Sequence, residues 1–264
     1  AAEISGARSG ERLPLPEARD ELRRLGETLN GMLERIDAAL ERERAFVADA
    51  GHELRTPVAI LKAEIELALA GDRSAPELRA ALTSAREETE RLTRLADDLL
   101  VLARIDDGRM PIHRERLEAE EVLQAVAARF AARAAEEGRS IEVAADPEAV
   151  VRADRLRIEQ AVANLVDNAL RHGAGPVVAR ARRANGAVEL TVADGGAGVP
   201  AEEAETAFER FSRGSSADGQ GAGLGLAIVQ AIARAHGGDA SLDGPVAVIR
   251  LPCSRDQEPE GTGA

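Results

Sequence analysis

From Glu17 onward the apolar residues fall at Leu22, Leu25, Leu29, Met32 and Ile36, in alternating steps of three and four. That spacing is a heptad seam, so this stretch must form a long helix with something packed along one side. The seam continues through Leu40, Val47, Ala50, Leu54, Val58, Leu61 and Ile65. The step of four from Met32 to Ile36 is followed by another step of four to Leu40. Such a stutter locally unwinds a coiled coil; the plainer alternative is an irregular amphipathic helix. Gly71-Asp72-Arg73-Ser74-Ala75-Pro76 stops this helix and starts another, with a second seam at Leu78, Leu82, Ala85, Thr89, Leu92, Ala96 and Leu99. One helical hairpin cannot bury so long a seam. Pairing two hairpins into a four-helix bundle can, so a homodimer is expected. Residues 1–16, with Pro14 and Pro16, read as a linker.

After Asp106-Asp107-Gly108 the pattern changes. Helical periods over Glu118–Glu137, Asp154–Arg171 and Leu224–His236 alternate with strand candidates at Ser140–Ala145, Val150–Arg152, Val177–Arg183, Ala187–Ala193, Ala240–Leu242 and Ala247–Leu251. Asn185-Gly186 is the signal of a tight hairpin turn. Residues 200–222 are rich in Gly, Ser and Glu and read as a long loop. The expected architecture is an all-α hairpin in a dimeric bundle, followed by a two-layer α/β sandwich. A disordered tail is expected over 253–264.

Composition removes several functions. With 34 Lys and Arg against 47 Asp and Glu the net charge is −13, which argues against nucleic acid as a partner. A single cysteine, Cys253, excludes an intrachain disulfide framework and a structural zinc site. No apolar run approaches the roughly 20 residues that span a bilayer, and no signal peptide is visible.

Several strings carry chemistry. In Phe46–Pro57, His52 is flanked by Glu53 and Arg55 within the apolar seam. Pro57 has no amide to donate to the Glu53 carbonyl, which should bend the helix one turn after the histidine. An exposed imidazole beside a carboxylate can act as a nucleophile with a base at hand. Asn164, Asn168 and Arg171 share one helical face, offering amide oxygens to magnesium and a guanidinium to phosphate. A solvated helix face is the bland alternative. Two glycine strings, Asp194–Val199 and Gly221–Leu226, permit close backbone approach, and Asp194 can accept a hydrogen bond from an amino group such as adenine N6. Between them, Phe208 and Phe211 could pin a loop. His113 and His236 match no chemical role; His236-Gly237-Gly238 reads as a helix C-terminus.

In this order the strings resemble the H, N, G1, F and G2 boxes of sensor histidine kinases, over roughly residues 14–252. Residues 17–44 resemble the second helix of a HAMP signal-relay domain. The resemblance further implies a dimerisation and histidine-phosphotransfer domain over 45–110, a linker over 111–116 and a Bergerat-type ATP-binding domain over 117–252. It implies that His52 is phosphorylated, that Glu53 is its general base and that Thr56 positions water for dephosphorylating a partner. Asn168 matches the magnesium ligand, with Asn164 one turn earlier. Arg171 and Arg213 match phosphate-contacting positions, His172 lies near the adenine, and Asp194 matches the adenine-binding aspartate. Gly196, Gly198, Gly221, Gly223, Leu224 and Gly225 match the nucleotide loops. The substrates implied are Mg-ATP and the receiver domain of a response regulator. The chain would be the part of a transmembrane sensor on the cytoplasmic side, tied to the membrane through N-terminal segments it lacks. Three positions depart from the pattern: Gly51 where Ser is common, Gly195 for Asn, and His172 where Tyr often lies. Two other classes stay open, an ATP-hydrolysing machine of the same nucleotide fold and a non-catalytic dimeric scaffold. The first would need a Glu where this chain has Asn164, an amide without basicity.

Overall fold

The computed structural model describes residue 14 and residues 21–71, 74–106, 111–212 and 222–253. The linker over 1–16 apart from Pro14, most of the tail, and site candidates Arg213 and Gly221 lie outside the described residues. The chain divides into two compact units, Ala1–Glu88 and Thr89–Ala264.

Helix α1 (Glu21–Leu69) runs for 49 residues and continues through Pro57. Helix α2 (Ala75–Asp106) follows a turn in which Gly71 takes φ 126°, a conformation open to glycine. Ser74 caps α2: its amide and hydroxyl both donate to Glu77 Oε2, at 2.9 and 2.7 Å, while its carbonyl accepts the Leu78 amide at 3.1 Å. Ser84 Oγ donates to Glu64 Oε1 at 3.0 Å, tying the hairpin together. The heptad seam is left uncovered. Leu25, Met32, Ile36 and Val47 are 56, 54, 50 and 63% exposed, and Pro57 alone is buried among the described residues of α1.

The second unit holds a five-stranded sheet in the order β2 (Ile141–Ala145), β4 (Val177–Ala184), β5 (Ala187–Ala193), β7 (Val246–Pro252), β6 (Asp239–Asp243). Only the β2–β4 pair is parallel. Helices α3 (Ala119–Glu136), α4 (Arg155–His172) and α5 (Gly225–Ala235) cover one face. Alternation puts Val177, Ala179, Val188, Leu190, Val192, Ile249 and Leu251 on that face, all buried. On the other face Arg182, Glu189, Arg250 and Asp239 stand in register across four strands with alternating sign. Glu189 is 4% exposed, and its carboxylate accepts from Arg250 at 2.9 Å and Arg182 at 2.8 Å. Those bonds hold it below the usual carboxylate range.

The Asn185-Gly186 turn has φ of 51° and 73°, the double left-handed geometry expected of that dipeptide. The other elements of the second unit that the sequence reading expected end within a residue or two of that expectation. A further ribbon, β1 (Glu115–Glu118) paired antiparallel with β3 (Val150–Ala153), carries no sequence signal for β1. Its only apolar residue is Leu117, which is buried while its three neighbours in the strand are exposed.

His236 caps α5 and Gly237 follows at φ 80°, so the helix ends as the sequence suggested. The ring is buried, however, and used at both nitrogens. Nε2 accepts from the Asp154 amide at 3.0 Å, which leaves Nδ1 protonated to donate to the Ile232 carbonyl at 2.8 Å. Asp154 in turn accepts the Arg157 amide on Oδ1 at 3.2 Å, as the N-cap of α4, and the His113 amide on Oδ2 at 3.0 Å. Burial pushes His236 below its ordinary 6.5; Arg114 adds to the depression, and the Ile232 bond and Asp154 oppose it. The unfolded chain therefore takes up the proton first, and this stability is present above pH 6.5 and lost as pH falls through the folded value. The melting temperature is expected to drop between pH 7 and 5 more steeply in the wild type than in His236→Gln, whose amide keeps one donor and one acceptor. Parallel slopes in scanning calorimetry would refute this role.

Candidate functional site

In the first unit, His52 and Thr56 lie one turn apart on α1 and both are exposed, while Glu53 is half-buried. The helix holds the two exposed side chains on one flank.

In the second unit the site is built on α4. Ile158, Ala161, Val162, Leu165, Val166 and Ala169 are buried and fix the roll of the helix. Asn164, Asn168 and Arg171 consequently fall on a half-buried flank. Asn164 Nδ2 donates to the carbonyl of Gly225, the first residue of α5, at 3.3 Å. The asparagine string and the second glycine string therefore meet. Arg171 Nε lies 2.9 Å from Asp167 Oδ2, and Asp167 Oδ1 receives Arg133 Nη1 at 2.6 Å. Asp167 thus gathers two guanidiniums, a feature the sequence reading missed although Arg171 follows it at helical spacing. His172 is exposed at the last position of α4.

Asp194 follows the end of β5 and is half-buried. Its Oδ1 accepts the Gly196 amide at 2.7 Å; Oδ2 makes no hydrogen bond among the described residues. A side chain at Gly173 would overlap the Asp194 carboxylate, and one at Gly196 would lie 2.8 Å from its Oδ1. The Gly195 amide donates to the Ala174 carbonyl at 2.6 Å. Together these contacts make a narrow cradle with a free carboxylate oxygen in it. Gly198 adopts φ 72°, where a Cβ would run into the Gly244–Pro245 backbone. Gly223, at φ 65°, presses on the backbone of Phe211 and Ser212. Phe211 itself takes φ 59°, a strained value for a bulky residue, and Phe208 is buried in a short 3₁₀ turn. Leu224 is buried as the N-cap of α5. The structure thus brings Asn164 to Gly225 and the first glycine string to the end of α4. Among the described residues no group of three or more His, Cys, Asp and Glu is set to hold a metal ion.

Residues 42–108 match the family described as His Kinase A (phospho-acceptor) domain, and residues 153–263 match the Histidine kinase-, DNA gyrase B-, and HSP90-like ATPase family. The chain belongs to the sensor histidine kinases of two-component systems. Over 248 residues this kinase chain is 34% identical to the sensor protein IrlS of Burkholderia pseudomallei, covering 92% of this chain and 53% of that protein. It is 38% identical over 245 residues to the probable sensor histidine kinase TcrY of Mycobacterium tuberculosis, covering 86% and 50%. The kinase chain therefore spans about half the length of these relatives. The solved structure of the Acinetobacter baumannii histidine kinase AdeS superposes with a TM-score of 0.64 at 26% identity, covering 77% of this chain and 98% of that one.

The two glycine classes differ in what substitution does. Gly31 has open space around it in mid-helix, so Gly31→Ala is expected to stabilise α1 by about 1 kcal/mol. Gly198→Ala forces both a left-handed φ and a backbone collision, and should destabilise the second unit by at least about 2 kcal/mol. Urea unfolding of both variants separates the two cases, and equal small effects would contradict them.

Proposed function

We propose that the second unit binds Mg-ATP and that His52 takes the γ-phosphoryl group. An imidazole nitrogen of His52 attacks the γ-phosphorus in line, the bond to the bridging oxygen breaks, and ADP leaves. Glu53 accepts the proton that the imidazole releases. Asp194 Oδ2 accepts from the adenine amino group, with His172 beside the base. Gly196, Gly198, Gly221, Gly223, Leu224 and Gly225 form the loops around the phosphates. Arg171 and Arg213 contact the phosphates, Arg171 bringing its partner Asp167 with it. Asn168, with Asn164 one turn earlier, would hold magnesium, which when bound offsets the phosphate charge. The observation that carries this reading is the pairing, in one chain, of an exposed His52 on a phospho-acceptor hairpin with the Asp194 cradle on an ATPase-type fold.

The phosphoryl group then passes to an aspartate on the receiver domain of a response regulator, and Thr56 later orients water for its removal. The uncovered seam of α1 and α2 is closed by a second copy, giving the homodimer. Residues 17–44 act as the end of a HAMP relay, and this chain works on the cytoplasmic side of the membrane as part of a transmembrane sensor. Among the described residues no helix is long and apolar enough to cross a membrane. Hydrolysis without a phosphohistidine is disfavoured by Asn164, whose amide is engaged on the Gly225 carbonyl and cannot take a proton from water.

With γ-labelled ATP, His52→Gln is expected to abolish acid-labile labelling and leave ATP affinity within about twofold, because every nucleotide group lies on the other unit. Acid-labile label remaining in the mutant would place the acceptor elsewhere. Asn168→Ala is expected to lose magnesium-dependent nucleotide binding together with labelling. Thr56→Ala should label normally yet dephosphorylate the regulator more slowly; equal loss of both activities would make Thr56 structural.

A further inference from the structure

We propose that Arg139, outside every kinase string, is a positioning residue for the adenine end of the nucleotide site. It fixes the backbone against which Asp194 is set. The inference rests on the reading of Asp194 as the adenine acceptor.

Topology brings Arg139 there. Gly138, at φ 67°, turns the chain out of α3, and Arg139-Ser140 leads into β2. Because β2 runs parallel to β4, the Ser140 carbonyl accepts the Val177 amide at 2.8 Å, and residues 139 and 175 become neighbours. The guanidinium then spans the end of α4. Nη1 donates to the carbonyls of Ala169 and Leu170 at 3.0 and 2.8 Å, and Nε donates to the Gly175 carbonyl at 2.6 Å. Nη2 is buried without a hydrogen-bond partner among the described residues. Ala169 also accepts the Gly173 amide at 3.0 Å, but the carbonyls of the last turn, Leu170 among them, carry the negative end of the helix dipole, so a cation with several donors suits them. A lysine at the same place offers a point charge without the planar fork.

The turn that Arg139 clamps is one wall of the Asp194 cradle. Ala174 accepts the Gly195 amide at 2.6 Å. Gly173 lies so close to the Asp194 carboxylate that no side chain fits between them. With Oδ1 held by the Gly196 amide at 2.7 Å, the direction of Oδ2 follows the position of this turn. Releasing Gly175 and the α4 carbonyls lets the turn drift and carries the acceptor off the adenine. Arg139 has no bond to Asn164 or Asn168, so the phosphate end should be spared.

The test uses the full 264-residue chain, with ATP affinity from a fluorescent-nucleotide competition assay and His52 labelling at saturating ATP. Arg139→Gln is expected to raise the Kd for ATP roughly tenfold, as loss of an orienting group around a site does, with labelling at saturation within about twofold. Arg139→Lys should fall between the two, and it carries the comparison if Arg139→Gln does not fold in circular dichroism. In an Asp194→Asn background, Arg139→Gln should cost less than about twofold more, since its effect runs through Asp194. An unchanged Kd, or an equal loss in the Asp194→Asn background, would overturn the inference while leaving Asp194 as the adenine acceptor. If Asp194→Asn alone leaves affinity unchanged, the reading of Asp194 fails, and this inference with it.

Discussion

Helix α4 is clamped at both ends and along one side, and the geometry of the second unit follows from that. Ile158, Val162, Leu165 and Val166 are essentially excluded from water, each contributing about 1.5–3 kcal/mol of apolar burial. Burial sets the roll of the helix but leaves it free to slide along its axis. The ends remove that freedom. Asp154, held by His236 and capping Arg157, fixes the first turn, and Arg139 fixes the last. Asn164, Asn168 and Arg171 are carried between two anchors, so their spacing relative to Asp194 is a property of the fold.

The glycines show a division of labour that a motif does not convey. Gly173, Gly198 and Gly223 are demanded by the protein's own atoms: a carboxylate, the Gly244–Pro245 backbone and the Phe211–Ser212 backbone respectively. Their role is to let segments of the chain touch. Gly225 is different. A Cβ there would sit 3.9 Å from Asn164 Cβ, an ordinary contact, so the fold alone does not require glycine. In the proposed function the missing side chain at Gly225 leaves the start of α5 open to the phosphates.

What could be read from the sequence was what short-range spacing encodes. The seam, the hairpin turn at Gly71–Pro76, the Asn185-Gly186 turn and the alternation of buried residues in β4 and β5 all depend on neighbours within a few positions. The anchors do not. The Asp154–His236 bond joins residues 82 apart, and the Arg139–Gly175 bond joins residues 36 apart. No periodicity connects such pairs, so His236 reads as a plain helix end and Arg139 as one arginine among many. Strand β1 was silent for a related reason. It buries Leu117 alone and is held by pairing with β3, whose residues begin at Val150. The settings of Asp194 and Asn168, a strand end before glycines and a polar flank on a helix, were legible because each is local.

Local terms alone leave α1 in deficit, and that deficit bears on how the first unit works. A helix of 49 residues would extend about 74 Å at 1.5 Å per residue, with Gly31 and Gly51 each costing about 1 kcal/mol and Pro57 about 3. The ion pairs Arg23–Glu27 at 3.0 Å and Lys62–Glu66 at 3.6 Å are exposed spacings of four. Pairs of that kind return about 0.3–0.5 kcal/mol each, too little to offset the breakers. Packing along the seam is a further source of stabilisation, and there Leu25, Met32, Ile36 and Val47 are half or more exposed in the single chain. Two breakers, Gly51 and Pro57, bracket His52. The helix is therefore weakest in its own backbone around His52, and Pro57 there is the one residue of α1 buried within the chain among those described.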